Sequence, residues 1–209
     1  MYELDAKLDL HVSRETRGKL EHFIDIFEKW SRRINLIAPS TRQDLWSRHI
    51  LDSAQLFSLA KDETNWLDLG SGGGFPGVVI AILLCDRDEG FINLVESNNK
   101  KAAFLRTALR ETGARGSVNA MRIEDAAGEG LLAGRVTARA LAELDTLLSL
   151  SAPWLENRQN CHALFHKGRD YQSEINKARD HWSFDLVIHK SAIEPDSVIL
   201  EIGDLQRKI

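Results

Sequence analysis

The residues best suited to chemistry lie in one run, Trp66-Leu67-Asp68-Leu69-Gly70-Ser71-Gly72-Gly73-Gly74-Phe75-Pro76-Gly77. An apolar lead ends in an acid. A glycine-rich turn follows, and then the apolar run from Val78 to Leu84. The order reads as strand, tight turn, helix. Glycine tolerates the backbone angles of such a turn and lets a ligand approach the main chain. Pro76 suits the first helical position, where its missing N–H costs nothing. The helix start then turns free N–H groups and a positive dipole end toward the loop.

Two patterns overlap here. Gly72, Gly74 and Gly77 satisfy G-x-G-x-x-G, the spacing of dinucleotide-binding loops. Asp68, Gly70, Gly72 and Gly74 satisfy a second form, in which an acid closes the first strand before G-x-G-x-G. That form resembles motif I of the Rossmann-like S-adenosylmethionine methyltransferases. An acid beside the turn repels a pyrophosphate but suits a cationic amino-acid moiety, which favours the methyltransferase pattern over nicotinamide binding. A plain glycine turn without a ligand is the third reading. Crevices at such turns are, however, the usual ligand sites of open α/β sheets.

Later residues extend the pattern. Phe91 to Val95 reads as a second strand ending in Glu96-Ser97-Asn98. Glu96 stands 22 residues after Gly74, near the separation at which such folds place an acid for ribose hydroxyls. A carboxylate accepts from both hydroxyls of a ribose. Residues 99–112 read as a helix stopped by Gly113. Ser117 to Met121 is a short third strand, and Ile123-Glu124 after it is placed to flank an adenine ring. Val136 to Ala138 is a fourth strand ending at Arg139, on the side of the sheet that faces the reacting centre. Cys161 to Phe165 is a fifth strand, followed by His166-Lys167-Gly168. Residues 143–154 and 170–181 read as helices. Phe184 to His189 and Ser197 to Ile202 form a closing hairpin with Pro195-Asp196 in its turn. That tail disfavours a dehydrogenase, whose second half needs another βαβ unit.

Ahead of the first strand, Leu20, Phe23, Ile24, Phe27, Trp30 and Ile34 recur at the spacing of one helix face over residues 14–34. Pro39 breaks the pattern. Ser40 with Gln43 makes a capping-box start for a second helix to about Lys61. On that helix Arg48 and Asp52 are spaced to pair on one face. These helices make an N-terminal cap over residues 1–62, followed by a Rossmann-like domain over 63–209. The fold class is α/β, with a mostly parallel seven-stranded sheet and helices on both faces.

Bulk properties narrow the function classes. With 209 residues, 43% hydrophobic and 28% charged, the chain builds a sizeable core. A net charge of −4 gives no global field toward nucleic acid. Charge is uneven, however. Residues 29–50 carry Lys29, Arg32, Arg33, Arg42 and Arg48 against Asp44 alone. Residues 98–123 carry Lys100, Lys101, Arg106, Arg110, Arg115 and Arg122 against Glu111 alone. Such segments are either phosphate-binding patches or solvated helix faces. Cys85 and Cys161 show no motif spacing and read as reduced core thiols of a cytoplasmic protein. The histidines show no metal-ligand spacing, so no metal is expected. No signal peptide and no membrane span are expected.

Together these residues resemble the glucose-inhibited division protein B family. Its members methylate a guanine N7 in the 530 loop of 16S ribosomal RNA. The marks span most of the chain. They are Asn35-Leu36, Arg48-His49-Ile50-Leu51-Asp52-Ser53, Asp68 through Gly77 with Phe75-Pro76-Gly77, Lys100-Lys101-x-x-Phe104-Leu105, Arg122-x-Glu124, Arg139-Ala140 and Lys167-Gly168. A generic methyltransferase needs neither R-H-x-x-D-S nor F-P-G. The resemblance implies S-adenosylmethionine as cofactor and the small ribosomal subunit as partner, with the enzyme a monomer. It implies that Gly70 and Phe75 line the cofactor loop with Asp68, Gly72 and Gly74. It places Glu96, Ser97 and Asn98 at the ribose, Ile123 and Glu124 at the adenine, and Arg139 nearby. Arg139 and Lys167 would hold phosphate or a guanine edge. His166 departs from the pattern, since an aliphatic residue is common before Lys167-Gly168. The alternative is a small-molecule methyltransferase with the same pocket, and a third reading is an RNA-binding module with a vestigial loop.

Overall fold

A computed structural model describes residues 3–36, 44–156 and 160–208. The helices are α1 (Glu3–Leu8), α2 (Arg14–Ser31), α3 (Asp52–Leu59), α4 (Gly77–Leu83), α5 (Asn99–Thr112), α6 (Ile123–Ala126), α7 (Leu144–Leu155) and α8 (Tyr171–His181). The strands are β1 (Asn65–Leu69), β2 (Phe91–Val95), β3 (Gly116–Asn119), β4 (Arg135–Ala138), β5 (His162–Lys167), β6 (Trp182–Lys190) and β7 (Val198–Arg207). They form one sheet in the order β3-β2-β1-β4-β5-β7-β6. β1 to β5 pair in parallel, and β7 runs antiparallel to both β5 and β6. The strand order reverses between β1 and β4, and ligands of open α/β sheets bind at that switch point.

Local signals explain most elements. Ser13 caps α2 by accepting from Thr16 N–H at 3.0 Å. Asn98 caps α5 by accepting from the N–H groups of Lys100 and Lys101. Gly113 ends α5 in the left-handed conformation. The central strands are buried on both faces, as parallel strands covered by helices require.

Three details differ from the sequence reading. The segment before α3 opens with a π-helical turn, Trp46–Leu51, which shifts side chains off the four-residue register. Arg48 and Asp52 consequently take different partners: Arg48 pairs with Glu194 and Asp52 with Arg139. Pro76 is the residue before α4 rather than its first, and the Phe75–Pro76 peptide bond is cis. The expected capping box at Ser40 and Gln43 lies outside the described residues. Cys161 is buried as expected, whereas Cys85 is half-buried. Among the described residues no helix is long and apolar enough to cross a membrane.

The N-terminal helices share a core with the sheet's helical layer. Leu20, Phe23 and Phe27 of α2 are buried in one cluster with Val78, Ile82, Phe104 and Leu105. Phe104 has ring contacts with Phe23 at 6.3 Å, Phe27 at 6.1 Å and Trp30 at 5.9 Å. Such aromatic pairs stabilise beyond their buried area. Phe104→Ala is expected to cost about 3–5 kcal/mol. Urea unfolding checks this, and a loss below about 1 kcal/mol would show that α2 repacks without the ring.

Candidate active site

The loop Gly70–Pro76 joins β1 to α4 at the carboxyl edge of the sheet. Gly70 and Gly74 adopt φ of +68° and +84°, angles that carry a steric cost in any residue with a Cβ. Space forbids a side chain as well. A Cβ on Gly70 would stand 2.7 Å from Leu141, and one on Gly74 would stand 2.8 Å from Val78. The loop is thus pressed between the segment after β4 and the first turn of α4.

Glu96 locks this loop to β2. Its Oε2 accepts from Gly72 N–H at 2.9 Å, and its Oε1 accepts from Asn98 N–H at 2.7 Å. Each oxygen retains a further lone pair for a ribose hydroxyl. Gly72 is half-buried, and Ser97 and Asn98 are exposed beside it. Ile123 is buried and Glu124 exposed at the start of α6, next along the same edge. An acceptor at the end of β2, half-buried glycine backbone at the turn and an apolar residue flanked by an acid have the chemistry to hold a nucleoside cofactor of the S-adenosylmethionine kind. Gly72, Glu96, Ser97, Asn98, Ile123 and Glu124 therefore occupy one rim.

Other expected site residues are placed differently. Asp68 is 1% exposed and lies beneath the loop. Its Oδ1 accepts from Thr137 Oγ1 at 2.8 Å, and its Oδ2 lies where a Cβ on Gly77 would approach within 2.5 Å. Burial pushes its pKa up to about 7, partly offset by the hydroxyls of Ser71 and Thr137. Asp68 supports the turn from below. Phe75 packs its ring into a cluster with Phe23 and Phe27 at 5.3 Å each and His49 at 4.8 Å. Lys167 does not face the open edge as a free cation. Its ammonium donates to Ala142 O at 2.8 Å and pairs with Glu174. Glu174 also accepts from Leu144 N–H at 2.7 Å, which caps α7.

Arg139 sits at the end of β4, next to Ala140, whose φ of +51° is unusual for a residue with a Cβ. Its guanidinium donates to Arg48 O at 2.9 Å and lies 3.0 Å from Asp52 Oδ2. It also donates to His49 Nδ1 at 3.1 Å. Because guanidinium only donates, that nitrogen is an acceptor and the His49 proton belongs on Nε2. His166 Nε2 lies 2.9 Å from Asp52 O and 3.4 Å from Asp52 Oδ1. Both are acceptors, so Nε2 carries a proton. Burial opposes the Asp52 charge, but His166, Arg139 and Gln55 together hold its pKa below the usual carboxylate range. A cleft of about 290 Å³ opens among Arg48, Arg139, His166, Gly168 and Ser197.

Sequence reasoning did not identify His49, Thr137, Glu174 or Glu194 as site residues, and it paired Asp52 with Arg48. The R-H-x-x-D-S element, one of the family's marks, was a signal for His49 and Asp52. Thr137 and Glu174 carried none, because their partners are 69 and 7 residues away on other elements.

The pH behaviour of Asp68 is testable. Its folded-state pKa of about 7 exceeds the ordinary 3.8, so the folded chain holds the extra proton. Its contribution to stability is greatest at low pH and declines as pH rises from about 4 to about 7. Asp68→Asn removes that slope. The variant's unfolding free energy should gain on the wild type across this window, measured by urea titration at several pH values. Parallel curves would show that Asp68 is already ionised.

Comparison with known proteins agrees with this geometry. Residues 16–197 match the family model described as GidB, rRNA small subunit methyltransferase G. A ribosomal RNA small subunit methyltransferase G of Allorhizobium ampelinum is 60% identical over 198 residues, covering 95% of this chain and 94% of that protein. One from Rhizobium etli is 58% identical over 200 residues, covering 96% and 98%. Among solved structures, an O-methyltransferase of Bacillus cereus in complex with SAH aligns with a TM-score of 0.58 at 12% identity, covering 97% and 95%. Fibrillarin in its complex with Nop5p aligns with a TM-score of 0.55 at 14% identity, covering 75% and 84%. At such identities these structures speak for the fold, which is that of the class I S-adenosylmethionine methyltransferases. The extent of the family match and the identity to its curated members place this chain in the rRNA small subunit methyltransferase G family.

Proposed function

We propose that this protein methylates N7 of the 530-loop guanine of 16S ribosomal RNA, using S-adenosylmethionine. The observation that carries the reading is the Glu96 carboxylate, tied to the Gly72 and Asn98 N–H groups at the carboxyl end of β2, beside the strand that leads to Ile123 and Glu124, in a chain of this family. Bound S-adenosylmethionine supplies an electrophilic methyl carbon on a sulfonium.

Guanine N7 is already nucleophilic in the neutral base and bears no proton. No general base is required, and the residues at this edge perform binding and alignment instead. Glu96 accepts ribose hydroxyls. The backbone from Gly70 to Gly74 offers close approach, held in place by Asp68 from below and by Phe75 from the α2 side. Positive charge passes to the purine as the methyl moves, so a free cation at the reacting centre would oppose the reaction. Arg139 is suited to its position because Asp52 lies 3.0 Å away. It orients the cleft with His49 and the Arg48 carbonyl rather than acting as an acid or base. Lys167, paired with Glu174, fastens the segment from Ala142 to Leu144.

The major groove of A-form RNA buries the N7 edge, so the target is an unstacked or looped guanine. We read residues 1–62 as a cap beside this edge, 63–209 as the methyltransferase domain, and the enzyme as a cytoplasmic monomer acting on the small ribosomal subunit.

The test is incubation with radiolabelled S-adenosylmethionine and small ribosomal subunits from cells lacking the gene, followed by nucleoside digestion. The expected result is label in 7-methylguanosine at one site. Label on another base would overturn the target atom. Turnover on a small molecule without RNA would favour the alternative substrate class. Arg139→Ala is expected to lower kcat/KM by about ten- to hundredfold, with cofactor affinity measured separately by calorimetry. Unchanged values for both would remove Arg139 from the site.

A further inference from the structure

We infer that Trp30, at the C-terminal end of α2, is a stacking platform for an unpaired base of single-stranded RNA, with phosphates gripped by Lys29, Arg32, Arg33, Lys100 and Lys101. The inference rests on the reading of the protein as an RNA methyltransferase and names the surface that takes the RNA.

A hollow of about 580 Å³ is lined by Lys29, Trp30, Arg32, Arg33 and Ile34. Trp30 and Ile34 are half-buried and pack against the core, while Lys29, Arg32 and Arg33 are exposed. The indole is braced edge-on against Phe104 of α5 at 5.9 Å. Lys100 and Lys101 precede Phe104 by four and three residues on the same helix. Those spacings put both lysines on the Phe104 side of α5, the helix that braces the indole. α5 begins directly after Glu96-Ser97-Asn98, which joins the surface to the cofactor rim.

Electrostatics point the same way. Among the described residues no carboxylate pairs with Lys29, Arg32, Arg33, Lys100 or Lys101. Arg17, Lys19, Arg48, Arg135, Arg139, Lys167 and Lys177 have acidic partners, while Arg106 and Arg122, also in the basic segment 98–123, pair with no carboxylate among the described residues. A helix C-terminus favours cations, which accounts for Lys29 at the end of α2. It does not account for Lys100 and Lys101. They occupy the first turn of α5, which carries no acid, at the end where the dipole opposes positive charge. Cations placed against the dipole and left unpaired, around a braced indole, fit a polyanion bearing unstacked rings. Nucleic-acid single strands are bound in this way, by a basic track and aromatic faces.

The test uses the full chain and a labelled, unpaired oligoribonucleotide of about twelve nucleotides, with a duplex of equal length as control. Anisotropy reads the affinity at several salt concentrations. Trp30→Leu should weaken single-strand binding about five- to hundredfold and leave duplex binding unchanged. Trp30→Phe keeps a ring and should stay near the wild type. Replacing both Lys100 and Lys101 by Ala should reduce the slope of log affinity against log salt by about 1.4. Circular dichroism and calorimetry with S-adenosylmethionine verify that each variant is folded. Equal binding by Trp30→Leu and wild type would overturn the platform, as would a Trp30→Phe variant as weak as Trp30→Leu. Wild-type methyl transfer to small-subunit RNA is measured in parallel. Transfer with variants that bind normally would sink the platform alone. No transfer with the expected oligonucleotide pattern would sink the methyltransferase reading alone.

Discussion

The structure depends on a backbone that must turn sharply between two buried elements. β1 enters the loop with every residue after Asn65 buried, and α4 leaves it buried along its whole length. Neither element can shift without exposing apolar surface. The turn between them uses left-handed glycines where Leu141 and Val78 leave no room for a Cβ. Its shape is then set from three directions. Glu96 holds Gly72 from β2, Asp68 and Thr137 join β1 to β4 underneath, and Phe75 anchors its far end on α2. A ligand on this loop meets a backbone whose position is already determined, so little ordering entropy is lost on binding.

The same edge carries a second constraint, a desolvated charge network. Arg139, Asp52 and His166 link the end of β4, the start of α3 and the end of β5. Removing charges from water is costly, and such networks add little net stability over an apolar core. They do restrict geometry. The hydrogen bonds to Arg48 O and His49 leave the guanidinium one orientation, and the π-helical turn supplies the offset that brings both groups to it. The network fastens the N-terminal helices to the strands at the switch point of the sheet. Charges near the end of α2 are handled oppositely, since Lys29, Arg32 and Arg33 beside Trp30 are exposed and pair with no carboxylate among the described residues. A chain with a net charge of −4 thereby presents a local cluster of exposed cations at the end of α2.

How much was legible in the sequence follows from how local each signal is. The strand-turn-helix order around Asp68 to Gly77 is written in apolar runs and glycines, and Gly113 and Asn98 mark the ends of α5 through their own backbone and side chain. The basic segments and the family's spaced motifs are equally plain in the chain. The rim residues Gly72, Glu96, Ser97, Asn98, Ile123 and Glu124 come together because strands β1, β2 and β3 are neighbours, which the alternation of strands and helices already implies.

The sequence by itself therefore determined the α/β class and the strand-turn-helix loop, because those rest on propensity, spacing and right-handed crossovers. Only the tertiary structure decided which way side chains at that edge point. Phe75 sits in a loop that reads as open, yet α2 draws its ring into an aromatic cluster. Lys167 reads as a free cation, yet Glu174 on α8 takes it. Arg48 and Asp52 read as partners, yet Glu194 and Arg139, 146 and 87 residues away, claim them. The physical reason is common to all three. A buried ring or charge goes to whichever neighbour lowers its desolvation cost, and packing, not sequence distance, chooses that neighbour.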